Sequence, residues 1–411
     1  MSTHQVRSPA AETPESLSVK VVLAGTLVVL LAMGTRATFG LFMQPMGMDR
    51  GWDRDVFSMA FAIQNLVWGV FSILMGMMAD RFGSGRTIVL GLLLYAAGLL
   101  GMLFADSEPS LYLTAGVLVG MGQAGVTFPV ILPVIARAVP AAARSTAMGI
   151  ASAGGSLGQF LVVPAGQFAI DGMGWSGALW ALSLFTAAGL PLVWFLRGRP
   201  AQARDTQQSL GDSVRQAVRD RSFQLLFWSY AVCGFHTAFI TLHLPAYVMD
   251  GGLTPTHGAI ALAVIGLFNV IGSFMAGKLG GRHSKKQLLA WIYGLRALGM
   301  LWLLEMPLSP WVLYVFAAWM GLFWLGTVPL TQGLIGQIYG LRYAATLSGV
   351  AFLGHQIGSY VGVVMGGRVY AETGSYDLVW WVGLALALVA AVLCLPIREQ
   401  PLAPPVPARA A

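Results

Sequence analysis

The chain has 411 residues, of which 56% are hydrophobic and only 10% are charged. A soluble domain carries about 25% charged residues. The composition therefore excludes a soluble protein and indicates one that lies mostly in lipid. The net charge of +7 would suit either nucleic acid or anionic lipid, and the positions of the charges decide between them below. Cys233 and Cys394 both lie in apolar segments, so we predict neither a disulfide nor a metal site.

Residues 1–19 are polar and contain proline, which predicts a disordered tail and not a secretory signal. A membrane-spanning helix needs about 20 mostly apolar residues. Such segments lie at 20–46, 56–79, 87–105, 110–136, 145–170, 175–196, 223–248, 258–277, 287–305, 310–338, 344–370 and 376–396. We therefore predict an all-α membrane protein with twelve transmembrane helices in two six-helix bundles, 20–196 and 223–397, joined by a polar linker at 197–222 and followed by a disordered tail at 398–411.

Lysine and arginine are distributed unequally between the two sides of these predicted helices. With the N-terminus in the cytoplasm, nineteen of them fall on the inner side and three on the outer side. Cytoplasmic loops carry an excess of these residues, so both termini are predicted to be cytoplasmic. The basic charge is then explained by topology, and a nucleic-acid partner is not expected.

The two halves repeat at an offset of 200 residues. The segment "TAMGIASAGGSLG" from Thr146 aligns with "TLSGVAFLGHQIG" from Thr346, and "TFP" from Thr127 aligns with "TVP" from Thr327. Internal repeats of this kind are typical of secondary transporters, whose substrate site lies between the repeats near the middle of the membrane.

The segment "GMMADRFGSGR", 76–86, joins the second and third spans, and "GKLGGRHSKK", 277–286, joins the eighth and ninth. A glycine permits close approach of helices, and an aspartate suits the positive N-terminus of a neighbouring helix. This pattern resembles the signature of the major facilitator superfamily, which implies a latch that closes the cytoplasmic gate. Its second copy has Gly281 in place of the acid, so we expect that half to latch weakly. The predicted gate residues are Gly76, Asp80, Arg81, Gly83, Arg86 and Arg282.

Two longer stretches resemble a narrower branch, the bacterial monocarboxylate porters and oxalate–formate antiporters. They are "GWDRDVFSMAFAIQNLVWGVFSILMGMMADRFG", which enters the second span, and "FLGHQIGSYVGVVMGGRVYAETGSYD" in the eleventh. The resemblance implies a carboxylate substrate without selecting one.

Arg36 lies within the first apolar span, where a charge costs several kcal/mol unless it is compensated. One interpretation is that its guanidinium binds a substrate carboxylate through two parallel hydrogen bonds. The other is that it reaches the outer headgroups along its aliphatic stem. In the superfamily, spans 1, 4, 7 and 10 line the cavity, so the resemblance places Arg36 and His236, its partner at offset 200, on opposite sides of the substrate.

Other polar residues within the spans are candidates for substrate binding. His236 and His243 share one face of the seventh span but lie about 10 Å apart, too far to hold one metal ion. Each histidine could instead be neutral and hydrogen-bonded between helices. The predicted substrate-binding set is Arg36, His236, His243, Asn269, Gln123, Thr127, Thr327 and His355.

No aspartate or glutamate lies in the middle of a predicted span, which argues against a multidrug–proton antiporter. Coupling through histidine, co-transport through the substrate's own charge, anion exchange and uncoupled transport all stay open, and the family resemblance favours protons. Arg296, in the ninth span, is predicted to have a structural role.

These observations predict a secondary transporter of a small organic anion, a monocarboxylate by resemblance, that works by alternating access in the inner (plasma) membrane. Alternatives are an exporter of a neutral or cationic hydrophobic compound and a non-transporting sensor or scaffold. No enzyme constellation and no cofactor site is predicted, and a monomer is expected. The lipid bilayer, the anion and protons are the predicted partners.

Overall fold

The computed structural model describes residues 14–52, 54–198 and 209–402, which contain helices and no strand. The first half comprises α1 (Pro14–Ala37), α2 (Met43–Arg50), α3 (Arg54–Phe82), α4 (Ser84–Leu103), α5 (Glu108–Leu111), α6 (Val119–Val126), α7 (Phe128–Ala138) and α8 (Arg144–Ala187). The linker contributes α9 (Leu210–Arg219). The second half comprises α10 (Arg221–Asp250), α11 (Pro255–Gly280), α12 (Lys285–Glu305), α13 (Pro310–Leu322), α14 (Thr327–Tyr339), α15 (Ala344–Thr373) and α16 (Asp377–Cys394).

Eleven helical stretches of the described residues are long and apolar enough to cross a bilayer. One of them, Ala141–Trp194, has 54 residues. At about 1.5 Å per residue it would be about 80 Å long, against about 30 Å for the hydrocarbon core. It turns at Gly174, where φ is 73° and ψ is 170°, so it crosses twice. The predicted twelve spans, numbered 1 to 12 in chain order, are thereby confirmed.

Spans 4 and 10 each contain a break in the helix, and the two breaks lie 200 residues apart, at the offset of the repeat. Span 4 breaks at Thr127, whose backbone is extended with φ −112° and ψ −168°, and span 10 resumes at Thr327. Pro129 and Pro329 follow, and each lacks the N–H group that would continue the helical hydrogen bonds across the break. The repeat seen in the sequence therefore also relates the positions of the two breaks.

A ridge of glycines at every fourth residue packs span 11 against span 7. Gly354, Gly358, Gly362 and Gly366 all face α10. A Cβ on Gly358 would collide with the carbonyl of Ala231, so only glycine permits this approach. Small residues that bring helix backbones together are typical of packing in membranes.

The two halves are packed tightly at one end of the molecule, which we call the basic end because its loops carry Arg81, Arg86, Arg144, Arg282 and Arg342. Gly149 of span 5 faces Gly277 of span 8 so closely that a Cβ on Gly149 would lie 2.7 Å from the Cα of Gly277. Gly349 of span 11 packs against the backbone at Ser72 of span 2 in the same way. These contacts hold the two halves together at this end.

Towards the opposite end the same helix faces separate. On span 11, Gln356 is buried against span 2, but Tyr360, one turn further on, is 54% exposed. On span 8, Asn269 is fully buried, whereas a Cβ on Gly266 would meet nothing within 4 Å. A cleft between the halves therefore opens away from the basic end, and Gln356 and Asn269 lie at its floor.

The ends of the chain are more structured than the sequence predicts. α1 already begins at Pro14, inside the predicted tail 1–19. In the predicted tail 398–411, the N–H of Arg398 donates to Ser222 Oγ (3.1 Å) and that of Leu402 to the carbonyl of Ile338 (2.8 Å). Residues 1–13, 199–208 and 403–411 of the predicted tails and linker lie outside the described residues.

Candidate functional site

Arg36 lies near the end of α1, where its half-buried side chain reaches the floor of the cleft. Its NH2 group donates to Asn65 Oδ1 (2.8 Å), and its guanidinium carbon lies 5.1 and 5.0 Å from the ring centres of Phe61 and Trp68. Two aromatic faces at this distance stabilise a cation. Within the described residues Arg36 forms no ion pair, and its buried Nε has no acceptor. The guanidinium therefore keeps unused donors.

A chain of hydrogen bonds continues from Asn65 into the other half. Gln356 Nε2 donates to the carbonyl of Asn65 (3.0 Å), and Gln356 Oε1 lies 3.1 Å from His355 Nδ1. The imidazole of His355 stacks on Phe352, with 5.3 Å between ring centres. We call Arg36, Asn65, Gln356 and His355 the floor network. It joins the two halves where they begin to separate.

Asn269 forms a second bridge across the floor. Its Nδ2 donates to Ser156 Oγ of span 5 (2.6 Å), and its Oδ1 accepts from the N–H of Leu325 and the hydroxyl of Ser273, each at 3.0 Å. The break in span 10 leaves the Leu325 N–H without a helical partner, and Asn269 satisfies it. Asn269 was predicted to bind substrate, but in this structure its amide is engaged by protein groups.

His236 and His243 do not face Arg36, which differs from the prediction. His236 is fully buried, with its Nε2 2.8 Å from the carbonyl of Gly383 in span 12. His243 Nε2 lies 3.1 Å from the carbonyl of Val363 in span 11. A buried imidazole needs a hydrogen-bond partner, and these main-chain carbonyls supply one inside the second half. In this structure His236 therefore does not lie opposite Arg36, and its role in substrate binding stays a prediction.

Gln123 and Thr127 lie behind the floor network, not in the cleft. Thr127 Oγ1 donates to the carbonyl of Gln123 (2.7 Å) and accepts from Trp68 Nε1 (2.9 Å). Both residues are fully buried. Because Trp68 is one of the two rings that flank Arg36, Thr127 positions the site from the break in span 4.

Thr327 and Arg296 form the matching support at the break in span 10. Thr327 Oγ1 lies 3.1 Å from the sulfur of Cys233. Fully buried Arg296 donates through Nε to the carbonyl of Phe323 (2.8 Å) and through NH2 to the carbonyl of Trp324. A cation at the C-terminus of a helix satisfies its free carbonyls, so Arg296 caps α13 as a structural charge.

At the basic end, Asp80 lies at the N-terminus of α15. Its Oδ2 accepts from the backbone N–H and the hydroxyl of Thr346, each at 2.8 Å. A Cβ on Gly76, one turn earlier, would lie 2.5 Å from the carbonyl of Ala345, so the two helices touch. These contacts hold span 2 of one half to span 11 of the other.

The remaining gate residues take less part in this contact than predicted. Arg81, Arg86 and Arg282 are exposed, and Gly83 forms the turn with a φ of 99°. The cation beside Asp80 is Arg137, whose NH1 lies 3.6 Å from Asp80 Oδ1. Arg137 was not among the predicted gate residues. The signal that could have identified it is its position in the last turn of span 4, beside the predicted gate.

Four further residues of the site, Phe61, Trp68, Asn65 and Gln356, were not among the predicted site residues. Asn65 and Gln356 are visible in the sequence as polar residues within apolar spans. Their pairing depends on which faces of spans 2 and 11 contact each other, and these faces cannot be predicted from the sequence alone.

The sequence model of the Major Facilitator Superfamily matches residues 25–363 and 252–411. YcxA, an uncharacterised MFS-type transporter of Bacillus subtilis (strain 168), is 26% identical over 389 residues, which cover 90% of this chain and 93% of YcxA. Monocarboxylate transporter 11 of Mus musculus is 28% identical over 346 residues, which cover 80% of this chain and 74% of that protein.

Two solved structures share the fold. The fucose:proton symporter FucP of E. coli, in the outward conformation, has a TM-score of 0.72 at 17% identity and covers 92% of this chain and 99% of its own. The proton:xylose symporter XylE has a TM-score of 0.73 at 15% identity and covers 94% and 97%. The match to the family model, together with the twelve spans in two related bundles, shows that the chain belongs to the major facilitator superfamily of membrane transporters.

Proposed function

We propose that this transporter moves a small monocarboxylate across the inner (plasma) membrane by alternating access, with both termini in the cytoplasm. The observation that carries the proposal is the state of Arg36. It is a half-buried cation at the floor of an open cleft, with unused donors and no ion pair among the described residues. A planar guanidinium matches a carboxylate through two parallel hydrogen bonds, and a bound anion would offset the cost of keeping the charge in the membrane.

Two further observations support the proposal. Relatives at 25–28% identity are named monocarboxylate transporters 11, 12 and 13. The excess of lysine and arginine in the loops of the basic end supports a cytoplasmic location for that end. The cleft would then face outwards, ready to receive substrate.

The mechanism follows from which contacts cross between the halves. Asp80 and Thr346 close the basic end, while Asn65–Gln356 and Ser156–Asn269 bridge the floor. A carboxylate bound to Arg36 would compete for the donors and acceptors of the floor network. Rocking of the halves would then open the basic end and close the cleft over the substrate.

The experiment is uptake of radiolabelled L-lactate, pyruvate and benzoate into proteoliposomes. We compare wild type with Arg36→Gln, which keeps a polar side chain but removes the charge. We expect the variant to lose at least about 90% of carboxylate uptake, because a tenfold loss corresponds to only about 1.4 kcal/mol of binding.

The matched control is Arg50→Gln, which removes a positive charge near the open end. Arg50 donates to the carbonyl of Leu103 within the first half and lies 5.6 Å from the ring of Trp175, away from the floor network. Equal uptake by wild type and folded Arg36→Gln would show that Arg36 does not bind the substrate. Absence of uptake of every acid by wild type would overturn the proposed function.

A further inference from the structure

The last helix is followed by a segment that lies across the basic end of the second half. α16 ends at Cys394, and Pro396 cannot continue the helix because it lacks a backbone N–H group. Ile397 is fully buried. The next residues, 398–402, contact the ends of spans 7, 9 and 10, and we call them the strap.

Two bonds of the strap satisfy groups that helix ends leave free. Glu399 Oε1 accepts from the N–H of Lys286 (3.0 Å), the second residue of α12. The first four N–H groups of a helix have no helical acceptor, and its positive end favours a carboxylate. The N–H of Leu402 donates to the carbonyl of Ile338 (2.8 Å), which is free because it lies in the last turn of α14. The strap therefore joins the start of span 9 to the end of span 10.

Side chains extend this contact to span 7. Arg398 NH2 donates to Asp220 Oδ2 (3.0 Å), and Asp220 is the N-cap of α10. Asp220 Oδ1 accepts from the hydroxyl of Tyr339 (2.7 Å), and Gln337 Nε2 donates to the carbonyl of Glu399 (2.8 Å). The last three residues of α14 are thus all held by the strap, directly or through Asp220.

On its other side, α14 packs against the first half. Arg137 NH1 of span 4 lies 3.4 Å from the carbonyl of Leu341, two residues beyond α14. A Cβ on Gly333 would lie 3.5 Å from the terminal methyl carbon of Met148 in span 5. α14 begins at Thr327, at the break in span 10, so no continuous helix joins it to α13. Either half could therefore carry α14 when the two halves separate.

From this arrangement we propose that the strap makes α14 move with the second half, which uncovers span 5 when the basic end opens. Without the strap, α14 would turn at the break in span 10 and stay on spans 4 and 5. The basic end would then remain covered while the rest of the second half rocks. The proposal rests on the rocking motion of the proposed function, but not on the carboxylate.

The test measures how readily the basic end opens, and it needs no substrate. Purified full-length transporter carrying Met148→Cys is labelled with a maleimide, because Met148 is 3% exposed beside α14 and both Cys233 and Cys394 are buried. Removal of residues 398–411 should slow labelling at least about fivefold, equivalent to about 1 kcal/mol in the opening equilibrium. Removal of residues 403–411, which keeps the strap, is the matched control and should leave the rate unchanged.

Equal or faster labelling after removal of residues 398–411 would overturn the proposal. Absence of labelling in the full-length protein would overturn the rocking motion, and with it the role of the strap. If the shortened protein does not fold, Leu402→Pro, which lacks the N–H that binds the Ile338 carbonyl, is compared with Leu402→Ala, which keeps it. Slower labelling only in the proline variant supports the strap, and equal rates in the two variants would overturn it.

A new connection between α12 and α14 separates this role from a general loss of stability. Lys285 Nζ lies 2.7 Å from Gln337 Oε1, so Lys285→Cys and Gln337→Cys can be joined by a short, reducible thiol cross-linker. In protein without residues 398–411, the cross-link should restore uptake of the carboxylate that wild type takes up fastest, and its reduction should abolish uptake again. Failure of the cross-link to restore uptake would overturn the strap as a device that holds α14. Absence of uptake by wild type would overturn only the carboxylate substrate, because the labelling experiment needs none.

Discussion

Arg36 is held at the cleft floor by one hydrogen bond and two aromatic rings, an arrangement that suits a cation waiting for an exchangeable anion. A permanent ion pair would occupy the guanidinium and compete with substrate. Asn65 instead offers a neutral acceptor at 2.8 Å, which fixes the direction of the side chain while leaving its charge uncompensated. The neutrality of Asn65 is thus part of the proposed site.

Asn65→Asp tests this directly. The new carboxylate would replace the amide beside Arg36 and form an internal ion pair that a substrate must displace. We expect the KM for carboxylate uptake to rise at least about tenfold, equivalent to about 1.4 kcal/mol of binding. Initial rates of uptake over a range of substrate concentrations measure it.

Asn65→Ser is the control, because it removes the amide without adding a charge. It should raise KM less than Asn65→Asp does. If the two substitutions have the same effect, charge at this position does not matter, and the interpretation of Arg36 as an anion site loses its support.

Arg296 is a buried cation of a different kind, because its donors are engaged by the chain itself. Arg296→Gln would leave the carbonyls of Phe323 and Trp324 without their charged donor. Hydrogen bonds to charged groups contribute about 1.5–3 kcal/mol each, so we expect about 3 kcal/mol of destabilisation. Thermal unfolding in detergent measures it, with Arg215→Gln as the control because the Arg215 side chain is 69% exposed. Equal melting temperatures for the two variants would contradict the assignment of Arg296 as a helix cap.

Among the helices, the contact between spans 7 and 11 depends most on one small residue. Gly358→Ala would push a methyl group into the carbonyl of Ala231, where neither backbone can move without shifting a helix. Overpacking costs about 1–3 kcal/mol, and more where backbone is struck, so we expect a large loss of folded protein. Gly367→Ala on the same helix is the control, because a Cβ there meets nothing within 4 Å. Fluorescence size-exclusion chromatography compares the yields, and equal yields would show that the ridge does not set this packing.

The existence and order of the spans could be predicted from the sequence, because the length of an apolar segment can be compared directly with the thickness of the bilayer. The first span was predicted at 20–46, and the helical stretch Ser18–Arg50 contains that segment. The sequence did not predict the break inside it, where α1 ends at Ala37. There the hydroxyl of Thr38 donates to the carbonyl of Thr35 (2.8 Å), a local bond that competes with continuation of the helix.

The candidate site was harder to predict because it depends on the rotation of each helix about its axis. Arg36 could be identified from the free-energy cost of a charge in the membrane, because an isolated charge within an apolar segment needs a partner. His236 could not be placed, because its depth in the membrane is the same whether it faces the cleft or the Gly383 carbonyl. Only tertiary packing decides which side of span 7 faces inward.

For the whole molecule, the basic end is closed by an asymmetric latch. Asp80 accepts two hydrogen bonds at the N-terminus of α15, where the positive end of the helix favours a carboxylate. At the position related by the repeat, Gly281 faces the start of α8 and has no side chain. A Cβ there would lie 3.4 Å from the carbonyl of Lys278 and 3.7 Å from that of Ala142, which are ordinary contact distances, so space for a side chain exists.

We therefore expect that a carboxylate at position 281 can replace the one at Asp80 in holding the basic end closed. Asp80→Asn should weaken the latch and reduce the time spent with the cleft open, and Gly281→Asp added to it should restore that time by placing a carboxylate at the N-terminus of α8. The readout is the rate at which a membrane-impermeant maleimide labels Tyr360→Cys, because Tyr360, one turn beyond Gln356, is 54% exposed while Cys233 and Cys394 are buried. A shift of about 1.4 kcal/mol in this equilibrium changes the ratio of the two states about tenfold.

Asp80→Asn combined with Gly281→Asn has the same side-chain size without the charge and should label slowly. If that control labels as fast as the Asp80→Asn, Gly281→Asp pair, the restored contact is steric. The latch would then owe nothing to the charge of Asp80.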